Sequence, residues 1–237
     1  PKQFTTKAYE MVLQGGAIWK SYGLTITMTL TGTLVGLGII SMTGYALQRK
    51  DFPFRNVISF YIYFTTLFSA GLAPYYLLMT QTYKLQDNYL AVWLPLLMSS
   101  WLIILMKNFV KSIPHEITES GKIDGAGDMK IFTALILPML KPALATIGLF
   151  LAIGYWNEWY QSSLFLSEKV SVYPLQYTLY KVVNKVNSLK STVAGQYVDL
   201  SDLPSNGLKM ANAILATGPV ILIYPFVQRY FIGAVKG

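Results

Sequence analysis

Residues 21–48 read SYGLTITMTLTGTLVGLGIISMTGYALQ, from Ser21 to Gln48, and hold no charged side chain in 28 positions. A bilayer hydrocarbon core about 30 Å thick is crossed by about 20 helical residues, and an ionised group left inside it is expensive. The stretch therefore predicts a membrane-spanning helix. Working outward, charge-free runs recur at Asn56–Tyr83, Asn88–Met106, Pro142–Asn157 and Met210–Gln228. The fourth has 16 residues, but the uncharged Ile131–Leu140 precedes it and Lys141 can snorkel. Five spans follow, near residues 24–47, 57–79, 89–106, 137–156 and 210–228. Buried helices of a large soluble fold would not need five such gaps in one chain.

Composition agrees. Of 237 residues, 53% are hydrophobic and 13% charged, with a mean hydropathy of +0.42; a soluble domain carries about 25% charged residues. The net charge of +8 reads as loops beside an anionic leaflet rather than a nucleic-acid surface. With no Cys and one His, the chain offers no disulfide framework, cysteine nucleophile or multi-His metal site. The fold class is an all-α, multi-pass integral membrane protein. Residues 1–21 form an external amphipathic lead-in, 22–229 the membrane domain and 230–237 a cytoplasmic tail.

Lys and Arg set the orientation, counted most heavily near span ends. Arg49, Lys50, Arg55, Lys107, Lys111, Lys122, Lys130, Lys141, Arg229 and Lys236 cluster at one set of ends. The opposite set is nearly as numerous, but four of its lysines fall in the long segment 157–206. Residues 48–56, 107–136 and the C-terminus are therefore placed in the cytoplasm, and 157–206 outside. Gly32 and Gly36 form a small-xxx-small pair suited to close helix packing. Pro74, Pro95 and Pro219 interrupt later spans.

The cytoplasmic segment carries the motif. It runs Ser112-Ile113-Pro114-His115-Glu116-Ile117-Thr118-Glu119-Ser120-Gly121-Lys122-Ile123-Asp124-Gly125-Ala126-Gly127, and ends at Leu135-Ile136-Leu137-Pro138 before Lys141-Pro142. Pro114 suits a helix start, Glu116 and Glu119 suit first turns, and Asp124-Gly125 is a turn signal. The reading is a short helix, a turn and a second helix, held by spans on both sides. An element so held cannot move independently of them.

This segment resembles the EAA loop of ATP-binding-cassette importer permeases: E-A-A, three residues, G, nine residues, then I-x-L-P. Glu119-Ser120-Gly121 stands at E-A-A, Gly125 at the glycine, and Leu135-Ile136-Leu137-Pro138 at the end. Ser120 and Gly121 replace alanines and Leu135 replaces isoleucine. Ile113-Pro114, Ile123-Asp124-Gly125-Ala126 and Lys141-Pro142 resemble the carbohydrate, maltose-type branch. So do Trp156-Asn157-Glu158-Trp159, the turn Arg49, Phe52-Pro53 and Arg55, and the tail Gln228-Arg229-Tyr230-Phe231. Tyr173-Pro174-Leu175-Gln176-Tyr177 is more like permeases for complex polysaccharides and oligosaccharides, including the alginate importer.

The resemblance implies a MetI-like permease core in a bacterial plasma membrane. Such members usually have six spans. The chain opens Pro1-Lys2-Gln3-Phe4, so its numbering is expected to start inside a longer protein, with one N-terminal span missing. Implied partners are a second permease, two copies of a cytoplasmic ATPase, an extracytoplasmic binding protein, a sugar and membrane lipid. ATP and Mg would sit on the ATPase and no cofactor on this chain, which is not itself an enzyme. The only near-match to a phosphate loop, Gly121-Lys122, has Glu116 where the first glycine is needed and Ile123 where Ser/Thr is needed.

Expected coupling residues are Glu116, Glu119, Ser120, Gly121, Asp124, Gly125, Ala126, Leu135, Leu137 and Pro138. Expected substrate or vestibule residues are Tyr75, Tyr76, Trp156, Asn157, Glu158 and Trp159, aromatic faces and polar groups suited to a sugar. An interfacial aromatic belt is the competing reading for Trp159 and Tyr160. Glu158, costly in lipid, is expected to face a cavity, the partner permease or water. Three other functions compete, one of them a membrane enzyme, which would need a His/Asp/Glu cluster at one depth that the sequence does not offer. A permease for a non-sugar solute shares the mechanism. An ion-coupled transporter would need intramembrane carboxylates or a repeat, and the charge-free runs argue against it.

Overall fold

The computed structural model describes residues 16–191 together with 207, 210, 211, 213–219 and 221. Among the described residues there are helices and no strands. The longest helix, α1 (Ala17–Gln48), is the spine. It is followed by α2 (Arg55–Leu67), α3 (Leu72–Thr82), α4 (Leu90–Leu97), α5 (Ser100–Lys111), α6 (His115–Ile123), α7 (Asp128–Met139), α8 (Lys141–Trp156), α9 (Tyr160–Phe165) and α10 (Leu175–Ser191).

The main core is built where α5, α7 and α8 pack on α1. Ile40 and Leu47 of α1 meet Ile103 and Met106 of α5, Ile131 and Ile136 of α7, and Ala143 and Ile147 of α8. Close approach needs glycine. A β-carbon on Gly32 would lie 2.3 Å from the Tyr155 ring, and one on Gly44 would lie 2.6 Å from Met106 Cγ. At Gly36 the approach is looser but still tight, 3.1 Å to Leu151 Cδ1 and 3.2 Å to the Leu97 carbonyl oxygen. The Gly32/Gly36 pair thus serves packing within this chain.

Among the described residues, two helices are long and apolar enough to cross a membrane, Ile18–Gln48 and Leu90–Lys111. The first begins at Ala17, several residues before the span read from the charge gap. The second is interrupted at Met98 and Ser99, both of extended backbone, and Pro95 lies inside its first half.

The region read as a second span, 57–79, is not one straight helix. It breaks after Leu67, and α3 leaves at 116° to α2. Phe68 is extended and Gly71 has φ +89, a conformation favoured by glycine. The fourth expected span, 137–156, starts late: α7 ends at Met139, and the chain turns 83° into Lys141. Pro142 in the first turn of α8 starts the new helix. Charge counting cannot see either bend, because both are made by uncharged backbone. Of the fifth expected span, 210–228, residues 210, 211, 213–219 and 221 are described; the rest of it, the tail 230–237 and residues 1–15 lie outside the described residues.

Candidate functional site

The candidate site is the α6–α7 hairpin at one end of the bundle. Pro114 caps α6, and Glu116 lies in its first turn. The helix ends in a double hydrogen bond. Ala126 N–H donates to the Gly121 carbonyl and Gly125 N–H to the Lys122 carbonyl, each at 3.0 Å. This is a Schellman termination with Gly125 at its left-handed position, and Gly125 has φ +73. The turn expected at Asp124-Gly125 is therefore present, and a glycine is required there for its backbone. Nothing lies within 4 Å of where its β-carbon would be.

One face of α6 packs inward. Thr118 and Gly121 are buried, and a β-carbon on Gly121 would sit 3.0 Å from both Ile131 Cγ1 and Leu135 Cδ1. The departure from alanine at 121 thus fits the close crossing with α7. That crossing falls on a π-helical stretch, Ile131–Ile136, a widened turn often found at functional positions. Ile131, Phe132 and Ile136 are buried in the same core as the spans, with Ala126, Ile117 and Leu137 packed against it.

The other face is open. Glu116, Glu119, Ser120, Asp124, Gly125 and Pro138 are exposed, and His115 Nε2 approaches Glu119 Oε1 at 3.5 Å. Ile123 is 85% exposed and Met129 60%, a large apolar tip on an otherwise polar hairpin. Neither residue is among the coupling residues expected from the sequence. The available signal was an isoleucine off the buried 117/118/121 stripe.

Ion pairs fasten the hairpin to the turn between α1 and α2. Arg49 binds Asp51 and, at 2.5 Å, Asp128 at the start of α7; Lys122 of α6 binds Asp51 at 2.7 Å. Arg49, then Lys122, hold the Asp51 carboxyl well below the usual carboxylate range. The Arg49 guanidinium is held charged above its ordinary value, chiefly by Asp51. Composition reading picked up Arg49 but not its two acidic partners.

The expected vestibule residues lie at the opposite end of α1 and divide. Trp156 and Glu158 are buried. Trp156 Nε1 donates to the Ala216 carbonyl at 2.9 Å. Glu158 does not face a cavity or water: it is 6% exposed and caps α9. Its carboxylate accepts from the Gln161 N–H at 2.5 Å and the Ser162 hydroxyl at 2.6 Å. A helix N-terminus supplies the donors that make this burial tolerable.

The other four reach a surface. Tyr75 donates to Gln161 Oε1 at 3.0 Å and lines a cleft of about 520 Å³ with Phe68, Gly71, Leu78 and Tyr160. Tyr76 stacks on Phe165. Asn157 Oδ1 accepts from Gln176 Nε2 at 3.0 Å. Trp159 packs on Tyr180 with ring centroids 4.9 Å apart. The described part of segment 157–206 is docked on the bundle, through Leu175 N–H to Thr25 Oγ1 and Ser167 N–H to Asp87 Oδ1; 192–206 lies outside the described residues. No group of three or more His, Cys, Asp or Glu able to hold a metal occurs among the described residues.

The helical bundle thus buries one face of the hairpin in its own core and leaves the other face open. The chain belongs to the family described as binding-protein-dependent transport system inner membrane component, whose family model matches residues 34–237; it is an inner-membrane protein. It is 35% identical to the polygalacturonan/rhamnogalacturonan transport system permease protein YtcP of Bacillus subtilis (strain 168), covering 100% of this chain and 84% of that protein. It is also 35% identical to protein LplC of the same organism, covering 100% of this chain and 81% of that one. A solved structure, that of a bacterial ABC transporter involved in the import of the acidic polysaccharide alginate, matches with a TM-score of 0.83 and 33% identity, over 98% of this chain and 81% of that one.

Proposed function

We propose that the chain is the permease subunit of an ATP-driven importer that passes an oligosaccharide or polysaccharide from an extracytoplasmic binding protein across the plasma membrane. One observation carries the coupling part: α7 shares its hydrophobic core with α1, α5 and α8, while Ile123 and Glu119 beside it are open. A close-packed core transmits displacement rather than absorbing it. A force applied to α6 therefore reaches the spans. In this reading α6 docks on a partner ATPase, Ile123 seats in an apolar recess, and Glu119 meets a basic group. The complex holds two ATPase copies and a second permease. The substrate part is supported by the relatives, named for transport of galacturonans and of alginate. On this chain Tyr75, Tyr76, Asn157 and Trp159 remain the sugar-facing groups.

The test is reconstitution with the partner permease, ATPase and binding protein in vesicles, reading uptake of a labelled oligosaccharide and ATP hydrolysis. Ile123→Asp should release the ATPase and abolish uptake, while Lys84→Gln, in the loop at the other end, should leave both intact. If Ile123→Asp transports like wild type, α6 is not the coupling element. Uptake that unlabelled amino acids compete away, and sugars do not, would overturn the substrate class.

A further inference from the structure

Beside the hairpin, α1, α2 and α5 bound a cleft of about 480 Å³. One part of its lining is polar and positive, with Lys107 and Lys111 of α5 next to Gln48 and Asn108. The other part is apolar, with Phe60 and Tyr63 of α2 and Ile104 of α5. Lys107 Nζ donates to Ser59 Oγ at 2.8 Å, and Ser59 spends its own proton on the Arg55 carbonyl. The charged groups that act on Lys107 are Arg55 and Lys111, both of like sign.

Among the described residues, no carboxylate pairs with any of these three. Among the described residues, the ion pairs join Arg49 to Asp51 and Asp128, Lys122 to Asp51, and His115 to Glu119. Glu116 lines the adjoining cleft that Lys111 also borders, and makes no ion pair. The cations sit at the end of the spans that the charge distribution places in the cytoplasm, where the leaflet is anionic. Basic pockets between membrane helices on that side bind lipid headgroups.

We propose that this cleft binds an anionic phospholipid, its phosphodiester against Lys107 and Lys111 and its upper acyl chain along Phe60, Tyr63 and Ile104. The shared chemistry with a free phosphate is the anion; the apolar wall favours the lipid, because a free anion has no use for it. The inference rests on placement of the family in the inner membrane and is independent of the solute carried.

The experiment uses the assembled importer in nanodiscs of phosphatidylcholine with a minor fraction of phosphatidylglycerol, and counts retained lipid by native mass spectrometry. Wild type should retain phosphatidylglycerol in preference to phosphatidylcholine. Lys107→Gln with Lys111→Gln should weaken retention about fivefold for each lysine removed. Lys107→Arg should keep it, as should the remote pair Lys169→Gln with Lys185→Gln. Full retention by the Lys107/Lys111 double variant overturns the site. So does displacement of the lipid by inorganic phosphate alone, which would make it a free-anion site. Cross-linking of Lys107→Cys to the second permease would show that protein, not lipid, covers the cleft.

Discussion

At Gly125 the backbone sits at φ +73 with open space where a side chain would project. An L-residue there pays about 1–2 kcal/mol for the left-handed conformation, and a β-branched one pays more. Gly125→Val should unwind the end of α6 and lose coupled transport while the outer side still accepts the binding protein. Glu119→Ala removes only an exposed pair, worth about 0–1 kcal/mol, and should be mild; parallel ATPase and uptake assays separate the two. Glu158 poses the opposite case. Glu158→Ala would leave the fully buried Ser162 hydroxyl and the first N–H groups of α9 without their acceptor. An unsatisfied buried polar group costs about 1–3 kcal/mol, so thermal inactivation should come at lower temperature. Glu158→Gln, which keeps an acceptor oxygen, should be intermediate.

The α6–α7 hairpin is held in two ways, by its apolar face in the core and by the Arg49–Asp51–Lys122–Asp128 network at its edge. The network is half exposed, so its contribution to stability is small and salt-sensitive. Its geometric effect is larger, because Asp51 bridges the end of α1 to α6. Asp51→Asn should shift the melting temperature little yet reduce binding-protein-stimulated ATP hydrolysis several-fold. High salt should reproduce that loss in wild type and add little in the variant. A fall in stability matching the fall in coupling would assign Asp51 a merely structural part.

Across the whole molecule, α1 is the element on which the other helices close, and its glycines set how near they come. Gly32→Ala would put a methyl group 2.3 Å from the Tyr155 ring. That ring is buried and tied by its hydroxyl to the Trp93 carbonyl at 2.9 Å, so it cannot swing away cheaply. Overpacking of this kind costs about 1–3 kcal/mol. Gly32→Ala should lower the thermal stability of the purified complex, and Gly38→Ala, with nothing within 4 Å, should not.

The membrane class, the position of the hairpin and its glycine turn were legible in residue order. Charge is excluded from lipid wherever the chain folds, and Asp124-Gly125 asks for a left-handed turn by local sterics alone. Tertiary structure decided the rest. The reversal at Phe68–Gly71 and the turn before Lys141 depend on backbone angles that uncharged residues adopt without a compositional mark. Whether Glu158 and Trp156 face a vestibule or the interior depends on where α9 and residue 216 come to lie. The pairing of Asp51 with Lys122 joins residues 71 positions apart, and the exposure of Ile123 is fixed by which face of α6 meets α7. These are contacts between distant segments, and a linear pattern carries only the periodicity of each segment, not the partner it finds.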